Sequence, residues 1–171
     1  MSDPSVAMAL GATTPPSPRL CLFCMSGQWD RLYAAFTIAN GALAIGQEVD
    51  IFFAFWAAST MQSASGTRRR GLLGRLMGLM MPSSVGAAPM SHLHFGGLGR
   101  RLMSFVMRRE GVDDLPVLIK QAEELGARFH YCDTSMRLLG FAAPDPKAVS
   151  GEVCGVTTFL SAARGAQVLF I

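Results

Sequence analysis

The chain alternates between short, wholly apolar runs and longer stretches in which apolar residues return every three or four positions. The first run, Arg19-Leu20-Cys21-Leu22-Phe23-Cys24-Met25, stops at Ser26-Gly27, as a strand buried on both faces of a parallel sheet does. From Trp29 to Ala44 the residues Leu32, Ala35, Phe36, Ala39 and Leu43 recur at helical spacing, and Gly46 supplies a stop. Glu48 to Phe55, rich in aromatic and β-branched residues, reads as a second strand. Strand, helix and strand in immediate succession make a βαβ unit, which implies a right-handed crossover and parallel pairing.

That rhythm breaks from Ser59 onward. Up to His94 the composition turns to Gly, Ser, Met and Arg, and Arg68-Arg69-Arg70 opens a Leu- and Met-rich run containing Arg75. The pattern then resumes. A helix is expected near Leu98 to Arg109, with Leu102, Phe105 and Val106 on one face. A second is expected with Asp113 as its N-cap, Leu115, Leu118, Ile119, Ala122 and Leu125 on one face and Gly126 as terminator. Ala127 to Cys132 reads as a third strand, Thr134 to Leu139 as the opening of a helix, Thr157 to Arg164 as another helix and Gln167 to Ile171 as a last strand. The expected fold is one Rossmann-like, doubly wound α/β domain at residues 19–171, with a mainly parallel sheet. A Gly/Met/Arg-rich helical segment is inserted at about residues 59–95, and residues 1–18 form a disordered tail.

Composition sharpens this picture. Half of the 171 residues are hydrophobic and only 16% are charged, below the usual quarter for soluble domains. Such a chain is expected to hide surface by self-association or against a membrane. The net charge of +3 rests on clustered arginines rather than an even basic coat, which argues against nucleic acid as a partner. Asp3 and the run Thr13-Thr14-Pro15-Pro16-Ser17-Pro18 do not suit a secretory signal. The apolar run Leu32 to Gly46 contains Asn40, Ile51 to Met61 is too short to span, and Gly71 to Met90 is interrupted by Arg75 and Pro82. The expected compartment is the cytoplasm, with peripheral contact at the inner membrane face as the alternative. There the four cysteines are thiols.

Among these thiols Cys132 stands out by position. It ends a strand and precedes Asp133-Thr134-Ser135, a cluster suited to a helix start. In an open parallel sheet ligands bind beyond the carboxyl ends of the strands, and a thiol at a helix start is biased toward the nucleophilic thiolate. Asp133 opposes that bias. Burial as an inert core cysteine is the structural alternative.

The run Cys132-Asp133-Thr134-Ser135-Met136-Arg137-Leu138-Leu139-Gly140 resembles the segment after the third strand of DsrE/DsrF/DsrH-like proteins, where a cysteine opens a helix containing Ser-Met and a glycine ends it. Blocks at Ala34–Ala42, Val49–Trp56, Gly96–Gly99, Leu115–Ile119 and Val168–Ile171 match in order, so the resemblance spans roughly Leu20 to Ile171. It is nearest the larger members, often labelled peroxiredoxin-like. The resemblance implies a Rossmann-like fold, oligomers (a trimer or a multiple of it), and a Cys132 persulfide passed between rhodanese-like donors and small TusA-like acceptors. A non-catalytic interaction subunit is the rival reading. The Pro and Thr that peroxiredoxins place before their reactive cysteine precede neither Cys24, Cys132 nor Cys154, which argues against peroxidase chemistry.

The secondary thiol candidates are Cys24, at the strand's exposed end and so expected near Cys132 across the crevice, and Cys154, a resolving partner or a spectator. Cys21 and Cys24 have C-x-x-C spacing but lie within a strand, where residues three apart face opposite ways, so packing is the better reading. His130, two before Cys132 and on the same strand face, is a supporting candidate together with Thr134 and Ser135. His92 and His94 lack a third ligand nearby. No cofactor and no metal are expected.

Overall fold

The computed structural model describes residues 18–63, 85, 88–90, 98–140 and 151–171. The first strand, β1 (Arg19–Cys24), leads into α1 (Trp29–Ala44), β2 (Glu48–Phe53) and α2 (Phe55–Ser63). After them come α3 (Leu98–Arg109), α4 (Leu115–Glu124), β3 (Arg128–Cys132), α5 (Asp133–Leu138), β4 (Glu152–Cys154), α6 (Val156–Ala162) and β5 (Gln167–Phe170). The five strands form one sheet in the order β4-β3-β2-β1-β5, and every pairing is parallel. The chain therefore walks outward from β1 through β2 and β3 to β4, then crosses back to place β5 on the other flank of β1. Right-handed crossovers put the connections of the outward walk on one face and that of the return on the other.

Strand periodicity divides the core accordingly. Leu20, Leu22, Cys24, Val49, Ile51, Phe53, Phe129 and Tyr131 face the larger core cluster, with Leu32, Phe36 and Ala39 of α1 and Leu115 and Ala122 of α4. Phe36 stacks against Phe53 and meets Phe129 edge-on, with ring centroids 6.2 and 5.8 Å apart. The opposite face carries Cys21, Phe23, Phe52 and Ala54 with Cys132 and Cys154 beside them, and Phe159 of α6 covers it. Phe159 lies 5.3 Å from Phe23 and 5.2 Å from Phe52, ring centre to ring centre. Among the described residues α6 is the helix that covers this second face, and Val168 and Phe170 of β5 are exposed on it.

Several element ends differ from the sequence expectation, each for a local reason. β2 stops at Phe53 because Phe55 turns into the left-handed region at φ 44° and starts α2. The departure from βαβ rhythm at residue 59 is therefore still helix, with Ala57, Ala58, Ser59, Thr60 and Met61 all buried. Asp114 rather than Asp113 caps α4, its carboxylate accepting from the Leu115 N–H at 2.7 Å, while Asp113 accepts from the Gln121 amide. β4 was not expected at all. The tail and most of the inserted segment at residues 59–95 lie outside the described residues. Its described end returns to the body: Val85 and Ala88 join the larger core, and the Pro89 carbonyl accepts from the Trp29 N–H at the start of α1.

Candidate functional site

The short pairing of β3 with β4 sets His130 opposite Glu152 and Cys132 opposite Cys154. Residues in register share a face, and residues two apart on a strand share it too. All four side chains therefore form one patch on the thinly covered face, at the carboxyl end of the sheet's β4 edge. Cys132 and Cys154 are half-buried and close enough that a charge on Cys132 raises the pKa of Cys154. Burial does most to push the Cys154 thiol up, and the negative charge of Glu152 adds to it.

Cys132 occupies the N-cap position of α5 with extended backbone, at φ −64° and ψ 114°, and its side chain makes no capping bond. Asp133, the next residue along the chain, is drawn into an ion pair with Arg137 one turn on, at 2.8 Å. The helix is only six residues long, so the bias it gives the thiol through aligned dipoles is small. Cys132 is positioned by the strand instead, standing where β3 ends beside an open face.

The supporting candidates separate. His130 joins the patch. Ser135 is buried, and its hydroxyl accepts from the Phe55 N–H at 2.9 Å, so it pins the left-handed turn between β2 and α2 rather than facing the thiol. Thr134 is exposed on α5. Cys24 does not meet Cys132: it lies on the opposite face of the sheet within the larger core, 1% exposed. Desolvation pushes its thiol up to about 12. The expectation that Cys24 reaches across the crevice fails on strand parity, since it sits one residue out of phase with Cys21 and Phe23. Cys21 does share the Cys132 face, buried behind the aromatic rings, and its thiol is also pushed up, first by burial and then by Asp50. His92 and His94 lie outside the described residues. The thiols should consequently react in two classes. Cys132 and Cys154 are expected to react with an aromatic disulfide reagent in the native protein, and Cys21 and Cys24 only after denaturation. Prompt native reaction of Cys24, read by mass mapping, would contradict this placement.

Sequence reading missed the group that organises the patch. Asp50 sits within β2 and is 2% exposed. Arg128 grips both its oxygens, at 2.9 and 2.8 Å, and His130 Nε2 lies 2.9 Å from Oδ1. Burial alone would raise the Asp50 pKa. The hydrogen bonds from His130 and Arg128, and the Arg128 charge, outweigh it and hold the carboxyl well below the usual carboxylate range. With Asp50 ionised, Nε2 carries the proton it donates, which leaves Nδ1 turned toward Glu152. There the Glu152 carboxylate stands 3.3 Å away, yet not aligned as a hydrogen bond, and Nδ1 is buried without a hydrogen-bond partner. A charged residue inside an apolar strand is rarely buried unpaired, so Asp50 itself was the available signal.

Comparison with known proteins agrees with the architecture. The sequence profile of the DsrE/DsrF/DrsH-like family matches residues 16–171. The chain is 33% identical over 162 residues to the uncharacterised protein YrkE of Bacillus subtilis (strain 168), an alignment covering 92% of this chain and 99% of that one. A parallel five-stranded sheet, a cysteine leaving its third strand into a Ser-Met helix, and a profile match across nearly the whole chain lead to one assignment: this chain belongs to the DsrE/DsrF/DrsH-like family.

Proposed function

We propose that this protein is a sulfur carrier that holds sulfane sulfur as a persulfide on Cys132 and hands it to a protein acceptor. The observation that carries this reading is that Cys132 combines a strand-end position at the sheet's ligand-binding edge, at the start of α5, with a half-open surface. In the loading step the Cys132 sulfur attacks the outer sulfur of a donor persulfide. The S–S bond to the donor breaks as the new one forms, giving Cys132–S–SH and a donor thiol, and the displaced thiol takes up the proton that Cys132 gave up. Transfer to an acceptor is the same exchange in reverse. No external oxidant is required, because the sulfane sulfur keeps its oxidation level throughout. His130 shares the Cys132 face.

The family suggests rhodanese-like donors and TusA-like acceptors as partners, in the cytoplasm or at its membrane face. No helix among the described residues is long and apolar enough to cross a membrane. Exposed apolar side chains favour protein contacts: Phe55 and Trp56 follow β2, and Val168 and Phe170 line the open face on β5. A homo-oligomer, a trimer or a multiple of it, is the state we expect to cover part of this surface. Light scattering at micromolar concentration should return a mass above that of one chain, and a clean monomer would refute the oligomer.

The carrier reading is tested by intact mass after incubation with a persulfide donor. A gain of about one sulfur atom per chain, ~32 Da, removed by reductant, is expected. An unchanged mass together with recovery of a defined protein partner would favour a non-catalytic interaction subunit, the reading that the exposed apolar surface alone would support.

A further inference from the structure

The patch beside Cys132 holds more than a carrier thiol needs. His130, Glu152 and Cys154 each bring one donor atom (an imidazole nitrogen, a carboxylate oxygen and a thiol sulfur), and all three atoms lie within 4.8 Å of one another. We propose that His130 Nδ1, Glu152 and Cys154 Sγ form a binding site for a divalent cation of the zinc type, with a fourth position open beside Cys132. The site stands on its own geometry and does not depend on the persulfide reading.

Three features of the structure point the same way. The first is spacing. Zn–N and Zn–O bonds of about 2.0–2.1 Å at a tetrahedral angle put the two ligand atoms about 3.3–3.4 Å apart. Nδ1 of His130 and Oε1 of Glu152 are 3.3 Å apart. They are not aligned to bond one another through a proton, which suits two lone pairs converging on a shared ion. The second is orientation. Asp50 takes His130 Nε2 at 2.9 Å, the carboxylate–histidine arrangement that fixes the tautomer and ring direction of a metal-ligating imidazole. Arg128 holds Asp50 in turn and also donates to Glu48. The result is a buried nitrogen with no hydrogen-bond partner, a state that is unfavourable when nothing occupies the lone pair.

The third feature is the donor set. Mixed nitrogen, sulfur and carboxylate ligands suit zinc and its neighbours rather than magnesium or calcium, which take oxygen alone. Three protein ligands with a free fourth position is the pattern of sites that act on a bound group rather than merely brace a fold. Cys132 is in register with Cys154 on the neighbouring strand. An open groove lined by Arg128, His130, Gly151 and Glu152, among others, reaches two of the three ligands. Binding displaces the Cys154 thiol proton to solvent, forming a metal–thiolate bond while Glu152 enters as the carboxylate and His130 as neutral imidazole. The cation's charge reverses the local penalty on a Cys154 thiolate.

Cobalt(II) is the probe, added to the reduced full-length protein. One Co²⁺ per chain is expected, with the strong visible bands of four-coordinate cobalt and a near-ultraviolet thiolate-to-cobalt charge-transfer band, and zinc should displace it. Cys154→Ser should remove the charge-transfer band and weaken binding by on the order of 100-fold, and Glu152→Gln by about tenfold. Glu152 is exposed, so that variant tests the site without threatening the fold. His130→Ala should abolish binding. Cys132→Ser should keep the metal while losing sulfur loading, so failure of one reading leaves the other standing. Absence of stoichiometric binding, a charge-transfer band that survives Cys154→Ser, an affinity indifferent to Glu152→Gln, or loss of the metal in Cys132→Ser would each overturn the three-ligand assignment.

Discussion

A Cys132→Ser variant should gain no sulfur mass from a persulfide donor, a fall of at least about tenfold from the wild type, whereas Cys21→Ser and Cys24→Ser should load normally. The contrast follows from ionisation and access together. A thiol pushed up to about 12, as at Cys24, has on the order of 10⁻⁵ of its molecules ionised at neutral pH, and it lies in the core where no donor protein can reach it. Cys21 shares the right face but sits under Phe159 and the neighbouring rings, and desolvation with the Asp50 charge raises its thiol as well. That leaves the paired cysteines at the strand ends. Of these, Cys154 bears the cost of burial and of Glu152 next to it, while the acid nearest Cys132 in sequence is tied to Arg137. Serine has nearly the shape of cysteine, so the fold should be unaffected and the lost mass read as lost chemistry. Loading that persists undiminished on Cys154 in the variant would move the carrier thiol one strand outward. The open face would then matter more than the Ser-Met helix start.

The long-range architecture was legible where the apolar pattern was long. β1 and β5 were readable as uninterrupted apolar runs, and α1 runs from Trp29 to Ala44 as its helical spacing required. Parallel pairing followed from strands lacking polar alternation, and all four strand pairings are parallel. Failures cluster where a feature is short or depends on tertiary contact. β4 has three residues, too few to display alternation, and its existence is decided by the exposed edge of β3. The end of β2 is set by Ser135 reaching 80 residues back to hold the Phe55 N–H, a contact no local window contains.

The candidate site divides in the same way. Cys132 could be found because position along the chain and a family-like segment both mark it. His130 could be placed on its face by counting two residues along a strand. Cys154 and Glu152 acquire their meaning only once β4 is laid beside β3, and Asp50 only once Arg128 and His130 arrive from the next strand. Parity read correctly for Cys21 and Cys24, which face opposite ways. Applied one step further, the same parity separates Cys24 from Cys132.

Asp50 is expected to be the most costly polar residue of the domain to replace. Its side chain is 3% exposed and is held by Arg128 at 2.8 Å and His130 at 2.9 Å, with Arg19 at 3.8 Å. Asp50→Asn keeps the shape but leaves the two arginines and the His130 N–H facing an uncharged amide, in surroundings where breaking a buried pair costs about 3–5 kcal/mol. Arg128 is 48% exposed and can turn toward water or keep Glu48, so a loss near the lower end, about 3 kcal/mol, is expected. It should be read as a shift of the urea midpoint without change in slope. Glu48→Gln is the comparison: that carboxylate is 40% exposed and should cost no more than about 1 kcal/mol. The pH dependence has a definite sign. Because the folded-state pKa of Asp50 lies below its unfolded value of about 3.9, its ionisation stabilises the fold fully at neutral pH. That contribution is lost progressively as the pH falls below about 4 toward the folded value. Wild-type stability should therefore drop in that acid range more steeply than that of Asp50→Asn, and the two curves should converge as acid removes the charge that distinguishes them. Parallel curves, or an Asn variant as stable as the wild type at pH 7, would show that the charge network fixes the direction of His130 without stabilising the fold.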